Sequence, residues 1–144
     1  MKKILAILAT VVLSLTACAD RHQLVESSEL PAQAQAFIKL HFNMSDITYV
    51  ERDRDGVRFE YKVYFKDATE VEFDYQGNLK SVDCHNKAVP VGIIPESIVT
   101  FVQTHYSEMF IVEYVIDYRR LTVELNNGID LLFDLEGNFL YLDD

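Results

Sequence analysis

The sequence predicts an α+β domain made of two tandem units, each a helix followed by four antiparallel strands, joined in one extended sheet with both helices on one face. Three observations carry this. First, the chain matches itself. Leu30-Pro31, Phe37-Ile38 and His41-Phe42 return 64 residues later as Ile94-Pro95, Phe101-Val102 and His105-Tyr106, and Phe73-Asp74-Tyr75-Gln76-Gly77-Asn78-Leu79 returns 60 residues later as Phe133-Asp134-Leu135-Glu136-Gly137-Asn138-Phe139. Self-similarity of this length marks a duplicated structural unit. Second, apolar residues alternate with polar ones over long stretches, the period of a strand with one wet face. Third, a proline precedes each apolar stripe of helical spacing, where its fixed φ suits a helix start and no hydrogen bond is lost.

Taken in order, the chain opens with Lys2 and Lys3 and an apolar run from Ile4 to Leu15. That run is too short to span a bilayer and reads as a signal peptide. Leu15-Thr16-Ala17-Cys18 is similar to a lipobox, in which the cysteine is acylated and becomes the new N-terminus; Ala17-Cys18-Ala19 equally fits ordinary cleavage after Ala19. Both readings stand at this stage, the first placing a lipid anchor on Cys18. Residues 1–18 are thus the signal and residues 19–29, polar and without periodicity, a tether. The domain proper is 30–144, with repeats at 30–84 and 94–144.

In the first repeat Ala34, Phe37, Ile38, His41 and Phe42 share a helix face; in the second, Ile98, Phe101, Val102, His105 and Tyr106 do. Strands are expected at 47–52, 57–66, 69–75 and 79–83, then at 111–116, 119–126, 129–135 and 139–142. Asp55-Gly56, Asn127-Gly128, Gly77-Asn78 and Gly137-Asn138 mark hairpins, because these residues accept positive φ. The four extra residues of the first copy fall in the hairpin around Arg52 to Gly56. Asp74 and Asp134 are expected to brace their turns through side-chain to backbone hydrogen bonds.

Charge narrows the function classes. The chain has 13 Lys plus Arg and 23 Asp plus Glu; loss of Lys2 and Lys3 leaves 11 bases against 23 acids, a net −12. Such a surface repels nucleic-acid phosphate, which is set aside as a partner. Catalytic patterns are absent: no G-x-S-x-G elbow, no H-E-x-x-H and no phosphate-binding glycine loop. Cys84, with no nearby motif to supply a base or a positive environment, reads as a half-buried structural thiol. His41 and His105 sit at equivalent helix ends, where positive charge is favoured. Asp53-Arg54-Asp55-Gly56 lacks the further oxygen ligands of a calcium loop and reads as a charged turn. No enzyme, metal site or cofactor is expected.

The duplicated unit, with its proline-started helix, strand meander and paired F-D-x-x-G-N elements at Phe73–Asn78 and Phe133–Asn138, resembles the PepSY-like family of exported bacterial proteins over residues 28 to 144. The resemblance implies a fold similar to the secreted β-lactamase inhibitor protein and a role as an inhibitory or regulatory binding module. This chain has no cysteine pair for that inhibitor's disulfides, and no inhibitory residue carries over.

One asymmetry points to a site. Repeat positions that carry Glu72 and Lys80 in the first copy carry Leu132 and Leu140 in the second. Leu132, Leu140 and Leu142 are expected to form an apolar trio on the open sheet face, with Lys62 and Tyr64 nearby. An apolar patch rimmed by acids on a nominally wet face suits docking of a protein or peptide. The expected function is a non-catalytic binding or regulatory module of the cell envelope, in the periplasm or on the outer membrane. It would touch the membrane only through its N-terminal lipid and bind an envelope protein or peptide. The alternative is an acidic cation-binding or envelope-stress protein.

Overall fold

Residues 22–143 are described by a computed structural model. Two ten-residue helices, α1 (Ala32–His41) and α2 (Glu96–His105), start directly after Pro31 and Pro95, which occupy the N-cap positions. Nine strands form one antiparallel sheet in sequence order: β1 (His22–Val25), β2 (Ile47–Asp55), β3 (Arg58–Phe65), β4 (Glu70–Phe73), β5 (Leu79–Asp83), β6 (Ile111–Ile116), β7 (Leu121–Leu125), β8 (Asp130–Phe133) and β9 (Phe139–Asp143). Helix α1 precedes β2–β5 and α2 precedes β6–β9. β2 and β3 have nine and eight residues against six and five in β6 and β7.

The register sorts side chains onto two faces. Val50, Val63, Val71, Val82, Tyr114, Val123 and Leu131 stand opposite one another along a single row. All are buried, in one core with Ala34 and Ile38 of α1 and Ile98 and Val102 of α2. Both helices therefore cover the same face. The halves are filled alike: Phe37 meets Phe73 edge-on at 5.6 Å between ring centroids, and Phe101 meets Phe133 the same way at 5.4 Å.

Each half is bulged at two matching places. Thr48 and Val112 have no cross-strand partner, nor do Lys80 and Leu140. A bulge sets two consecutive residues against one, so both point to the same side.

The stretch read as a tether needs correcting. Residues 22–25 form β1, and Ser27–Glu29 form a turn of 3₁₀-helix. β1 is held by backbone pairing to β2 and by cross-strand side chains. His22 Nδ1 lies 2.6 Å from Asp53 Oδ1, and Arg52 Nη2 donates to Gln23 Oε1 at 2.7 Å. A strand of four mostly exposed residues stabilised by polar contacts leaves no hydrophobic period to detect. Residues 1–18, expected to be a signal peptide, lie outside the described residues, and Cys18 with them. Among the described residues no helix is long and apolar enough to cross a membrane.

Candidate functional site

The sheet face away from the helices is read as two parallel rows of cross-strand neighbours. One runs Glu51, Lys62, Glu72, Ser81, Val115, Thr122, Leu132, Tyr141 from β2 to β9. It begins charged and ends apolar. The other runs Tyr49, Tyr64, Glu70, Asp83, Glu113, Glu124, Asp130, Asp143. It begins with two stacked tyrosines, 4.3 Å apart, and continues as six carboxylates in register across six strands.

In the first half the face neutralises itself. Lys62 Nζ lies 2.5 Å from Glu72 Oε1 and 3.7 Å from Glu70 Oε2, and Lys80 Nζ donates to Glu60 Oε1 at 2.6 Å. Burial works against the Lys62 charge, but the hydrogen bond to Glu72 and the surrounding acids outweigh it and hold the pKa above the usual lysine value. Tyr64 Oη donates to Glu51 Oε2 at 3.1 Å, and its pKa is pushed up to about 12, first by burial.

In the second half no lysine or arginine stands in either row, and directly opposed like charges are unfavourable. Burial, then the charges of Asp83 and Glu124, push Glu113 up to about 7. Asp130 is raised by burial and by Asp143.

The residues singled out in sequence are placed as follows. Leu132 faces the open side but is only 5% exposed, so it forms the floor of the patch. Leu140, 50% exposed, stands on the open side because the bulge turns it the same way as Tyr141. Leu142 does not join them. It pairs with Leu131, a core residue, and therefore lies on the helix-covered side, exposed only because β9 is the sheet edge. The bulge shifts the alternation by one, and Tyr141, 48% exposed, takes the position expected of Leu142. Its hydroxyl accepts a hydrogen bond from Arg120 Nη1 at 3.0 Å. Lys62 and Tyr64 are on β3, five strands from Leu132, or about 24 Å at strand spacing. They belong to the ion-paired half and not to this patch.

The other sequence features have structural roles. Asp74 Oδ1 accepts from the backbone N–H groups of Gln76 and Asn78, and Asp134 Oδ1 does the same with Glu136 and Asn138. For Asp74, burial opposes ionisation, but these hydrogen bonds prevail and its pKa is lowered. The turn that follows lies against the start of the helix: a Cβ on Gly77 would come within 2.9 Å of Pro31 Cβ and the Ala34 nitrogen, and one on Gly137 would meet Ser97. The F-D-x-x-G-N element is thus a clamp of hairpin to helix. Cys84 is buried and free, and burial pushes its thiol pKa up. His41 and His105 close their helices and pack on Phe37 and Phe101. Among the described residues one group could present three ligand atoms within 4.8 Å of one another: His22, Glu51 and Asp53. It was invisible in sequence because it forms only when β1 joins β2.

The chain is similar to known proteins along most of its length. A family model described as "Putative beta-lactamase-inhibitor-like, PepSY-like" matches residues 16–60 and 59–141. Three solved structures superpose closely. A "putative periplasmic protein" of the DUF2874 family from Bacteroides vulgatus is 31% identical with a TM-score of 0.82, over 88% of this chain and 99% of that one. A "putative calcium-regulated periplasmic protein" from Bacteroides thetaiotaomicron is 34% identical with a TM-score of 0.81, over 88% and 99%. A "putative periplasmic protein of unknown function" from Bacteroides vulgatus is 29% identical with a TM-score of 0.80, over 85% and 99%. No curated protein matches the chain.

Proposed function

The chain belongs to the PepSY-like, β-lactamase-inhibitor-like family, and from that premise we propose that it is a non-catalytic binding module of the cell envelope that holds a protein or peptide on the second half of its open sheet face. One observation carries this. The lysines of the first-half face are paired in place, whereas the second half presents Leu140 and Tyr141 over Leu132 beside acids that, among the described residues, face no lysine or arginine along their row. Exposed apolar groups beside like charges are an arrangement a partner can relieve. The periplasmic descriptions of all three neighbours support export. We read the two halves as a duplicated unit, one copy kept as scaffold and the other turned to recognition. Cys18 would carry the lipid; an intact mass that starts at Cys18 plus acyl chains supports this, and one that starts at Asp20 removes it.

The test is Leu140→Lys in the exported protein. The expected result is loss of partner capture from the envelope with an unchanged melting temperature, because an exposed side chain is altered. Capture that survives the change ends this reading.

A second reading, cation binding, is favoured by the all-oxygen row from Glu70 to Asp143 and by the description of the Bacteroides thetaiotaomicron neighbour as calcium-regulated. Oxygen-only donors suit calcium, while His22 with Glu51 and Asp53 would suit zinc better. Calcium at 100 times its dissociation constant adds about 2.7 kcal/mol of stability, so a melting temperature indifferent to both ions removes this reading.

A further inference from the structure

The sheet ends in two edge strands of different chemistry. At one edge β1 pairs with β2 from His22↔Asp53 to Val25↔Val50, and two of its four residues, His22 and Gln23, are polar. At the other, β9 pairs with β8, and among the described residues no strand lies beyond it. A bare edge presents a row of unpaired N–H and C=O groups, and soluble proteins blunt such edges with lysine, proline, inward charge, short strands or bulges, of which β9 carries the bulge at Leu140. β9 has no lysine or proline. Phe139, Leu140, Tyr141 and Leu142 follow one another and all are exposed, with an acid only at Asp143.

The molecule contains a template for what fits this edge. β5 holds in the first half the position of β9 in the second: it follows the matching turn and carries the matching bulge. Its outer side is filled by β6, antiparallel, with Ser81↔Val115, Val82↔Tyr114 and Asp83↔Glu113. The occupant of the β9 edge would be a strand placed as β6 is.

Its chemistry follows from what it would face. Asp143 ends the carboxylate row, and Tyr141 stands beside it on the same side. A lysine or arginine at each position would pair the acid and lie over the ring. Leu142, on the other side, calls for an apolar neighbour. A second copy of this chain is the wrong partner: it brings its own Asp143 and a net charge of −12 after processing.

We propose that β9 is a strand-addition site, and that its occupant is an extended segment of a partner protein alternating basic with apolar residues, the bases toward Tyr141 and Asp143 and the apolar side chains toward Leu142. This rests on the reading of the domain as a binding module and adds to it a grip on the backbone of the edge.

The experiment uses the exported protein with two short blocked peptides, one alternating arginine with valine and one alternating glutamate with valine. Amide hydrogen exchange is followed residue by residue. The expected result is saturable binding of the arginine peptide alone, with exchange of outward β9 amides slowed about tenfold or more. That binding weakens as salt rises from about 0.05 to 0.5 M, and Asp143→Lys transfers the preference to the glutamate peptide. Arginine-peptide binding that leaves β9 exchange unchanged overturns strand addition while leaving the face reading intact. No saturable binding of the arginine peptide overturns the proposed partner chemistry. β9 amides protected without peptide, in a protein that sediments as a dimer, overturn it in favour of a second copy. Slowed β9 exchange and envelope capture that both persist in Leu140→Lys support the edge and reject the face.

Discussion

On the first half of the open face, Lys62 and Lys80 each sit within 2.6 Å of a carboxylate oxygen, and Tyr64 donates to Glu51. On the second half the same strands, in the same register and with the same bulges, carry Val115, Thr122, Leu132, Leu140 and Tyr141 beside Glu113, Glu124, Asp130 and Asp143. The helix-covered side shows no such divergence. Phe73 and Phe133 are both fully buried under a helix phenylalanine, and Asp74 and Asp134 brace identical turns. The change from ion-paired to apolar residues thus falls on the side that the core does not need. Exposed ion pairs contribute little to stability, so their absence from the second half costs the fold little and leaves a surface with a different chemistry.

The comparison can be broken first at the core. Phe73→Ala and Phe133→Ala should each destabilise the protein by about 3–5 kcal/mol, the range for an emptied phenylalanine site. Urea unfolding should show one transition in both variants. Two transitions, or a much smaller loss in one half, would mean that the shared core is not shared equally.

A finer contrast lies in the turn clamps. Gly77 and Gly137 both have positive φ, which costs a side-chain-bearing residue about 1–2 kcal/mol. Added to this, a methyl group on Gly77 meets helix backbone, whereas one on Gly137 meets the hydroxyl of Ser97, which can rotate. Gly77→Ala should therefore lower the melting temperature more than Gly137→Ala, and equal shifts would show that the first-half clamp has slack.

The smallest effects have opposite signs in the two halves. Glu113 has a carboxyl pKa of about 7 against an ordinary 4.5. A raised carboxyl costs stability when ionised: in full above pH 7, less as pH falls between those values, and not at all below 4.5. Glu113→Gln should stabilise by about 1 kcal/mol at pH 8, the scale of an opposed like-charge pair, and by nothing at pH 4. Glu72→Gln, which breaks the pair with Lys62, should instead destabilise by about 0.5 kcal/mol at pH 8. Thermal melts at the two pH values read both, and a stabilised Glu72→Gln would erase the distinction between the halves.

Much of this fold is written locally. Pro31 and Pro95 with the apolar residues after them, the alternation of Val57 to Phe65, and the glycine turns each state their own structure, and the repeat states their order. Local patterns could not supply β1, which has almost nothing to bury. They also missed the bulge at Leu140, a pairing property of two strands that neither strand reveals alone, and with it the facing of Tyr141 and Leu142. The carboxylate row was harder still. Its neighbouring members are separated by up to 30 residues, and only the register aligns them. The available signal was that each acid stands one residue from a core position on its strand, as Asp83 does beside Val82 and Glu124 beside Val123.

The bulge has one more consequence, and it concerns descent. Lys80 and Leu140 answer to no cross-strand neighbour, so their side chains are free of the pairing that constrains residues on either side. In one half the position holds a salt bridge and in the other an exposed leucine, at matching bulges. Such a site can drift in charge and size from lineage to lineage while the ladder stays intact. Homologues that share this sheet are therefore expected to differ most in surface charge and side-chain size where their strands carry an extra residue.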